Sequence, residues 1–234
     1  MKYMPHLVWL VALAFIIIFG FAGILDEKTF VSGFVTLTAT LMGGVLLYLW
    51  NSEEQDKVRT RHEVGAINRA LLVLARQVNV SLQLAEEFAV YPNNYLLAFG
   101  YPPRTLPAFL NMMQKFEDLE FILEDEPDLV FRLTIQQERF EQMVNAFHVR
   151  ANFHATSMKA EWERLGLGSE LPLEQALIKI IDPQIHKSAL KYTSQMTEHV
   201  KLFQLSAKDE IAALNAFDKK RYPGRKLIDF YRRN

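Results

Sequence analysis

Apolar residues gather first into two unbroken runs, Leu7 to Leu25 and Phe30 to Trp50, separated only by Asp26, Glu27, Lys28 and Thr29. Neither run contains a charged side chain, and about 20 residues rising about 1.5 Å each cross a hydrocarbon core of about 30 Å. The pattern predicts a transmembrane hairpin with spans at about 7–25 and 30–50. Four connecting residues leave no room for a domain on the far face, which puts residues 51–234 on one side of the membrane. The first run is about twice the ~7 to 15 apolar residues of a cleaved signal, and a second run follows at once, so it reads as a retained helix.

Beyond Trp50 the period changes. Val64, Ile67, Leu71, Leu74, Val78, Ala85 and Phe88 recur in steps of three and four, with Ser81 interrupting the seam, which predicts a long amphipathic helix over about 52–90. No proline or glycine separates Trp50 from Val64, so the second span is free to continue into it. Tyr91 to Pro107 reads YPNNYLLAFGYPPRTLP; its prolines at 92, 102, 103 and 107 end the helix and argue against another before Pro107. A second helix is predicted from Ala108 to Glu124. A third runs from Pro127 to about Leu165, carrying Phe140, Val144, Phe147, Ala151, His154, Met158 and Trp162, with Gly166 past its end. Leu171 to Ile181 forms a short fourth helix. Asp182 followed by Pro183 opens a fifth, which Pro223 and Gly224 stop. No alternating strand pattern appears, so the fold class is all-α: a two-helix transmembrane hairpin (1–50), a cytosolic bundle of long amphipathic helices (51–218), and a basic aromatic tail (219–234).

Charge supplies the orientation. Lys2 precedes the first span and Lys28 sits alone in the turn, whereas Lys57, Arg59, Arg61 and Arg69 follow the second, so both termini and the bundle belong on the cytoplasmic side. Tyr3, Trp9, Tyr48 and Trp50 fall at the same interface of such a hairpin. Net charge is −1, which excludes a surface built wholly for nucleic acid or anionic lipid and leaves only local patches for either. The absence of cysteine excludes disulfides, thiolate metal sites and a cysteine nucleophile.

Four groups of residues remain as candidates. Ser32, Thr36 and Thr40, with Gly43 and Gly44, keep one side of the second span small, suiting it to pack against its hairpin partner or another hairpin. No ionisable residue interrupts the spans, which leaves transport without a path. Tyr91, Tyr95, Phe99, Tyr101 and Arg104 make the proline-rich segment too apolar for a free loop; it either folds back over the bundle or presents a recognition surface. Glu138, Glu141, Asn145, His148 and Asn152 share a stripe about 110° from the apolar face of the third helix, where solvent normally lies, so no metal is assigned. His154 and His199 fall on apolar stripes and read as satisfied core histidines. No nucleotide loop, nucleophile motif or zinc signature is present, and no catalytic residue, cofactor or metal site is assigned.

The tail is the sharpest charged feature: Lys219, Lys220, Arg221, Arg225, Lys226, Arg232 and Arg233 alternate with Tyr222, Phe230 and Tyr231. Four readings stay open. The cations complement a helix dipole, meet anionic lipid, contact a nucleic-acid strand, or dock on the acidic run from Glu117 to Asp128 as a charge-sensitive latch. Nucleic acid is not favoured. The expectation is a non-catalytic binding or scaffold protein of a bacterial inner membrane, assembling through its hairpin with the bilayer, a protein partner and further copies of itself. In architecture the chain also resembles the two-span effectors of bacterial anti-phage abortive-infection systems. That resemblance implies a cytosolic sensing domain controlling a membrane-disrupting hairpin, and it carries over no residue role.

Overall fold

The structure is a computed structural model describing residues 14, 17, 27–104, 112–167 and 172–224. The described residues are overwhelmingly helical and contain no strand, so the all-α class holds. Two compact units divide the chain, Met1–Arg61 and His62–Asn234.

The first helix whose bounds are described, α1, is Glu27–Ala89, 63 residues without interruption. It joins the predicted second span and the first bundle helix, and it takes in Glu27, Lys28 and Thr29, which the sequence assigns to the turn. Of the two predicted spans only this one falls within the described residues, among which one helix is, by length and composition, long and apolar enough to cross a membrane. The first run lies outside the described residues except for Ala14 and Ile17, so the hairpin itself is not seen. Within the first unit the helix exposes Val35, Met42, Leu46, Leu47 and Trp50. The Thr36 and Thr40 hydroxyls donate to the carbonyls of Ser32 (2.9 Å) and Thr36 (2.8 Å), so these polar groups need no water.

In the second unit the rest of α1 is a core element. Next comes α2 (Asn94–Gly100), a helix where the prolines argue for none. The seven residues between Asn93 and Tyr101 contain no proline, and the Asn93 side chain caps them by accepting from the Leu96 N–H at 2.8 Å. Of the predicted Ala108–Glu124 helix, residues 108–111 lie outside the described residues; the described part holds a 3-10 turn, Phe116–Leu119, running into α3 (Glu120–Leu123). Residues 113–115 are not helical, and at their centre Gln114 makes long-range bonds instead. The Gln114 N–H donates to Gln137 Oε1 (3.2 Å), and its amide donates to the Ala70 carbonyl (3.0 Å).

The third predicted helix is found as α4 (Pro127–Phe153), a π turn (His154–Met158) and α5 (Lys159–Leu165), closed by Gly166 at φ 63°, a left-handed conformation that glycine adopts without strain. After α6 (Glu174–Ile180), Asp182 caps α7 (Pro183–Arg221) by accepting from the N–H groups of Gln184 and Ile185.

Three clusters make the core. Ile67, Leu71 and Leu74 of α1 pack with Leu129 and Leu133 of α4 and with Ile211, Leu214 and Phe217 of α7. Further along, Leu84 and Phe88 meet Phe140, Met143 and Phe147, and Met196, Val200 and Phe203. Within this unit α1 and α4 therefore run in the same direction and α7 returns against them. Tyr95, Phe99, Met158, Leu177 and Ile181 form the third cluster, under α2.

Candidate functional site

The aromatic segment is packed inward. Tyr95, Phe99 and Tyr101 are buried, Tyr91 is half-buried and Arg104 is exposed. Of the five residues marked for partner contact, three are core residues and cannot offer a free surface as they stand. Their hydroxyls explain how they tolerate burial: Tyr95 donates to the Pro172 carbonyl (2.7 Å) and Tyr101 to Glu87 (2.7 Å), whose other carboxylate oxygen pairs with Arg104.

Arg150 pins the segment, and the sequence reading passed over it. It is 2% exposed, and its guanidinium donates to the carbonyls of Leu97 (3.3 Å), Ala98 (3.2 Å), Tyr101 and Pro102 (3.4 Å). These are carbonyls at and just past the end of α2, where a helix leaves its acceptors unmatched and its dipole is negative. The Arg150 guanidinium carbon also stands 4.9 Å from the centre of the Tyr101 ring. Burial pulls the guanidinium down to about 10, still far above neutrality. A periodicity count of apolar residues selects Ala151 for the seam and misses Arg150, although it falls three residues after Phe147.

Four residues on, the π turn begins. One extra residue in that turn shifts the helix register, and such turns gather at functional positions. Phe99 stacks between Trp162 (6.0 Å, 10°) and His186 (5.4 Å, 24°). Beside this stack opens a cleft of about 420 Å³, walled by Pro103, Ala155, Met158, Trp162 and Leu167, with His154, Lys159 and Glu163 completing it. His154 differs from the satisfied core histidine of the sequence reading, since its Nε2 is buried without a hydrogen-bond partner. Burial first, and the Arg150 charge second, lower its pKa from 6.5 to about 4, so the ring is neutral at pH 7. An apolar cleft of this size with few polar groups suits an apolar side chain or a small hydrophobic ligand.

A second cluster lies where α7 ends. Lys219 and Lys220 are exposed, whereas Arg221 and Tyr222 turn onto an acidic collar. Lys220 pairs with Glu126 (2.9 Å) and Arg221 with Asp125, while Glu63 accepts the Tyr222 hydroxyl and lies 3.4 Å from Arg221. The Arg221 guanidinium also sits 5.5 Å from the Phe121 ring. Burial first, with the Glu63 bond, pushes the Tyr222 hydroxyl up to about 12. Of the four tail readings, docking on the Glu117–Asp128 run is what Lys220 and Arg221 do within the chain, while Tyr222 bonds to Glu63 outside that run; Arg225, Lys226, Arg232 and Arg233 lie outside the described residues.

The remaining candidates are exposed. Among the described residues nothing lies within 4 Å of a Cβ built on Gly43 or Gly44, and Ser32, Thr36 and Thr40 are exposed. Glu138, Glu141, Asn145, His148 and Asn152 are all exposed, and among the described residues no three His, Asp or Glu side chains converge to hold a metal ion. No protein-family model, curated protein or solved structure matches the chain significantly.

Proposed function

We propose that this chain is a membrane-anchored, non-catalytic binding module: a two-span hairpin holds a cytoplasmic helical bundle at a bacterial inner membrane, where the bundle contacts a protein partner and the hairpin assembles with further copies. The reading rests chiefly on α1. Its residues 31–50 turn large apolar side chains outward and satisfy threonine hydroxyls within the helix, whereas from Glu63 onward the same helix contributes buried core residues. Apolar surface of that length, left uncovered, is paid for only in a non-aqueous setting or an assembly. The cleft at the π turn, bordered by exposed Lys159 and Glu163, supplies the contact for an apolar anchor of the partner.

The test is expression of the full chain in bacteria, alkaline extraction of membranes, and crosslinking with the wild type and Ala155→Trp, which fills the cleft from an exposed position. The module predicts a carbonate-resistant chain and a constant crosslinked partner that Ala155→Trp loses. Recovery in the soluble fraction removes the anchor, and a partner retained by Ala155→Trp removes the cleft.

The two-span effector reading draws on Gly43 and Gly44, beside which no described residue comes within 4 Å of an added Cβ. It predicts that expression alone collapses the membrane potential and that Gly44→Leu relieves this; unchanged potential and growth leave the binding module.

A further inference from the structure

We infer that the basic end of α7 is shared between two anionic surfaces: the acidic collar within the chain, and the headgroups of anionic lipid, which compete for the same cations. The collar has the construction of a contact meant to be exchanged. Its outer pairs each have one member in water, Lys220 at 76% side-chain exposure against 35% for Glu126 and Asp125 at 49% against 22% for Arg221, and ion pairs open to water on one side are screened by salt and yield to competing charge. Its inner part is directional: Tyr222 is buried against Glu63, and Arg221 lies near Phe121, which is itself 6.4 Å from Phe217 of the core. Withdrawing Lys220 and Arg221 thus leaves Asp125, Glu126 and Glu63 without these cations and loosens the cluster of Phe121, Phe217 and Tyr222.

Charge complementarity selects the competitor. Residues 219–234 carry Lys219, Lys220, Arg221, Arg225, Lys226, Arg232 and Arg233 against the single acid Asp229, interleaved with Leu227, Ile228, Phe230 and Tyr231. Cations mixed with aliphatic and aromatic residues match an anionic bilayer surface, where each Lys or Arg gains about 1 kcal/mol. The inference rests on the membrane anchor proposed above, which would keep headgroups at high local concentration. On a bilayer rich in anionic lipid the collar is open; in neutral lipid it is closed.

The experiment is hydrogen exchange on the full chain in mixed micelles of dodecyl maltoside with either phosphatidylglycerol or phosphatidylcholine. Exchange about tenfold faster in phosphatidylglycerol is expected at amides 119–126 and 217–222, with none at 196–207, since two cations gain on the lipid what the collar loses. Equal exchange in the two lipids overturns the inference. Asp125→Asn with Glu126→Gln is expected to exchange in phosphatidylcholine nearly as fast as the wild type does in phosphatidylglycerol, and a double variant as protected as wild type overturns it as well. Polyuridylate opening the collar where phosphatidylglycerol does not would assign the cations to nucleic acid and overturn the lipid assignment. Flotation with phosphatidylcholine vesicles reports the anchor separately. A chain that floats but shows no lipid effect keeps the anchor and loses the exchange; a lipid effect without flotation does the reverse.

Discussion

Arg150 sits among carbonyl oxygens, nearly without solvent, and its described hydrogen bonds go to no carboxylate; Arg221 sits among carboxylates at an edge that water reaches. Both fasten a segment distant in sequence onto the bundle, yet by different physics. At Arg150 the energy is in desolvated hydrogen bonds, so removing the guanidinium takes the shared donor from the carbonyls of Ala98, Tyr101 and Pro102, while Leu97 keeps the Tyr101 N–H. At Arg221 much of it is Coulombic and screened, so the contact is cheap to open. A guanidinium sealed among carbonyls fixes a conformation; one at a wet edge, paired with an exposed carboxylate, offers a choice.

The largest break in this comparison is Arg150→Met, which keeps much of the aliphatic stem and deletes the fork. It is expected to destabilise the bundle by about 3–5 kcal/mol, since buried carbonyls are left unpaired, with no dependence on salt between low and high ionic strength. Urea unfolding followed by circular dichroism in detergent measures this, and a loss below about 1 kcal/mol would show that the α2 end has other support.

Next in size is the pH response of the same region. His154 has its pKa lowered in the folded chain, to about 4 against 6.5. Above pH 6.5 neither state binds the proton and the group contributes nothing to pH dependence. Between about 6.5 and 4 the unfolded chain binds it first, so stability falls with falling pH by roughly 1.4 kcal/mol per unit. His154→Gln should flatten that limb of the stability–pH curve, and an unchanged limb would place the titration elsewhere.

The smallest effect belongs to the collar. Asp125→Asn is expected to cost about 0.2–1 kcal/mol at low salt and nothing measurable near 1 M, where the Debye length falls to about 3 Å. A cost that survives high salt would make the two arginines alike.

Much of the fold was written locally, and therefore readable. Asp182 and Pro183, Pro127, and Gly166 mark helix ends through their own backbone chemistry, and the structure starts or stops helices at each. What depended on distant partners was not readable. Residues 113–115 carry a helix-compatible pattern, but Gln114 bonds to Gln137 and Ala70 instead. At 94–100 the surrounding prolines outweighed a cap that only Asn93 reveals. The site was half legible: aromatic density marked the segment, but the residue holding it is an arginine in an apolar seam, and the cleft is lined by His154, Ala155 and Met158 of a π turn that apolar periodicity does not announce.

The glutamines bring one more consequence. The Gln77 amide donates to Gln137 Oε1 (2.9 Å) and to the Met112 carbonyl (2.6 Å) at the fully covered middle of the helix pair. Parallel helices with heptad-like seams can slide by a turn with little loss of apolar contact. A slide of α4 by four residues would put Leu133 or Glu141 where Gln137 stands, facing the Gln77 amide with a hydrocarbon or an uncompensated charge. The amide pair acts as a parity check on alignment, rejecting a slipped bundle that hydrophobicity alone would accept.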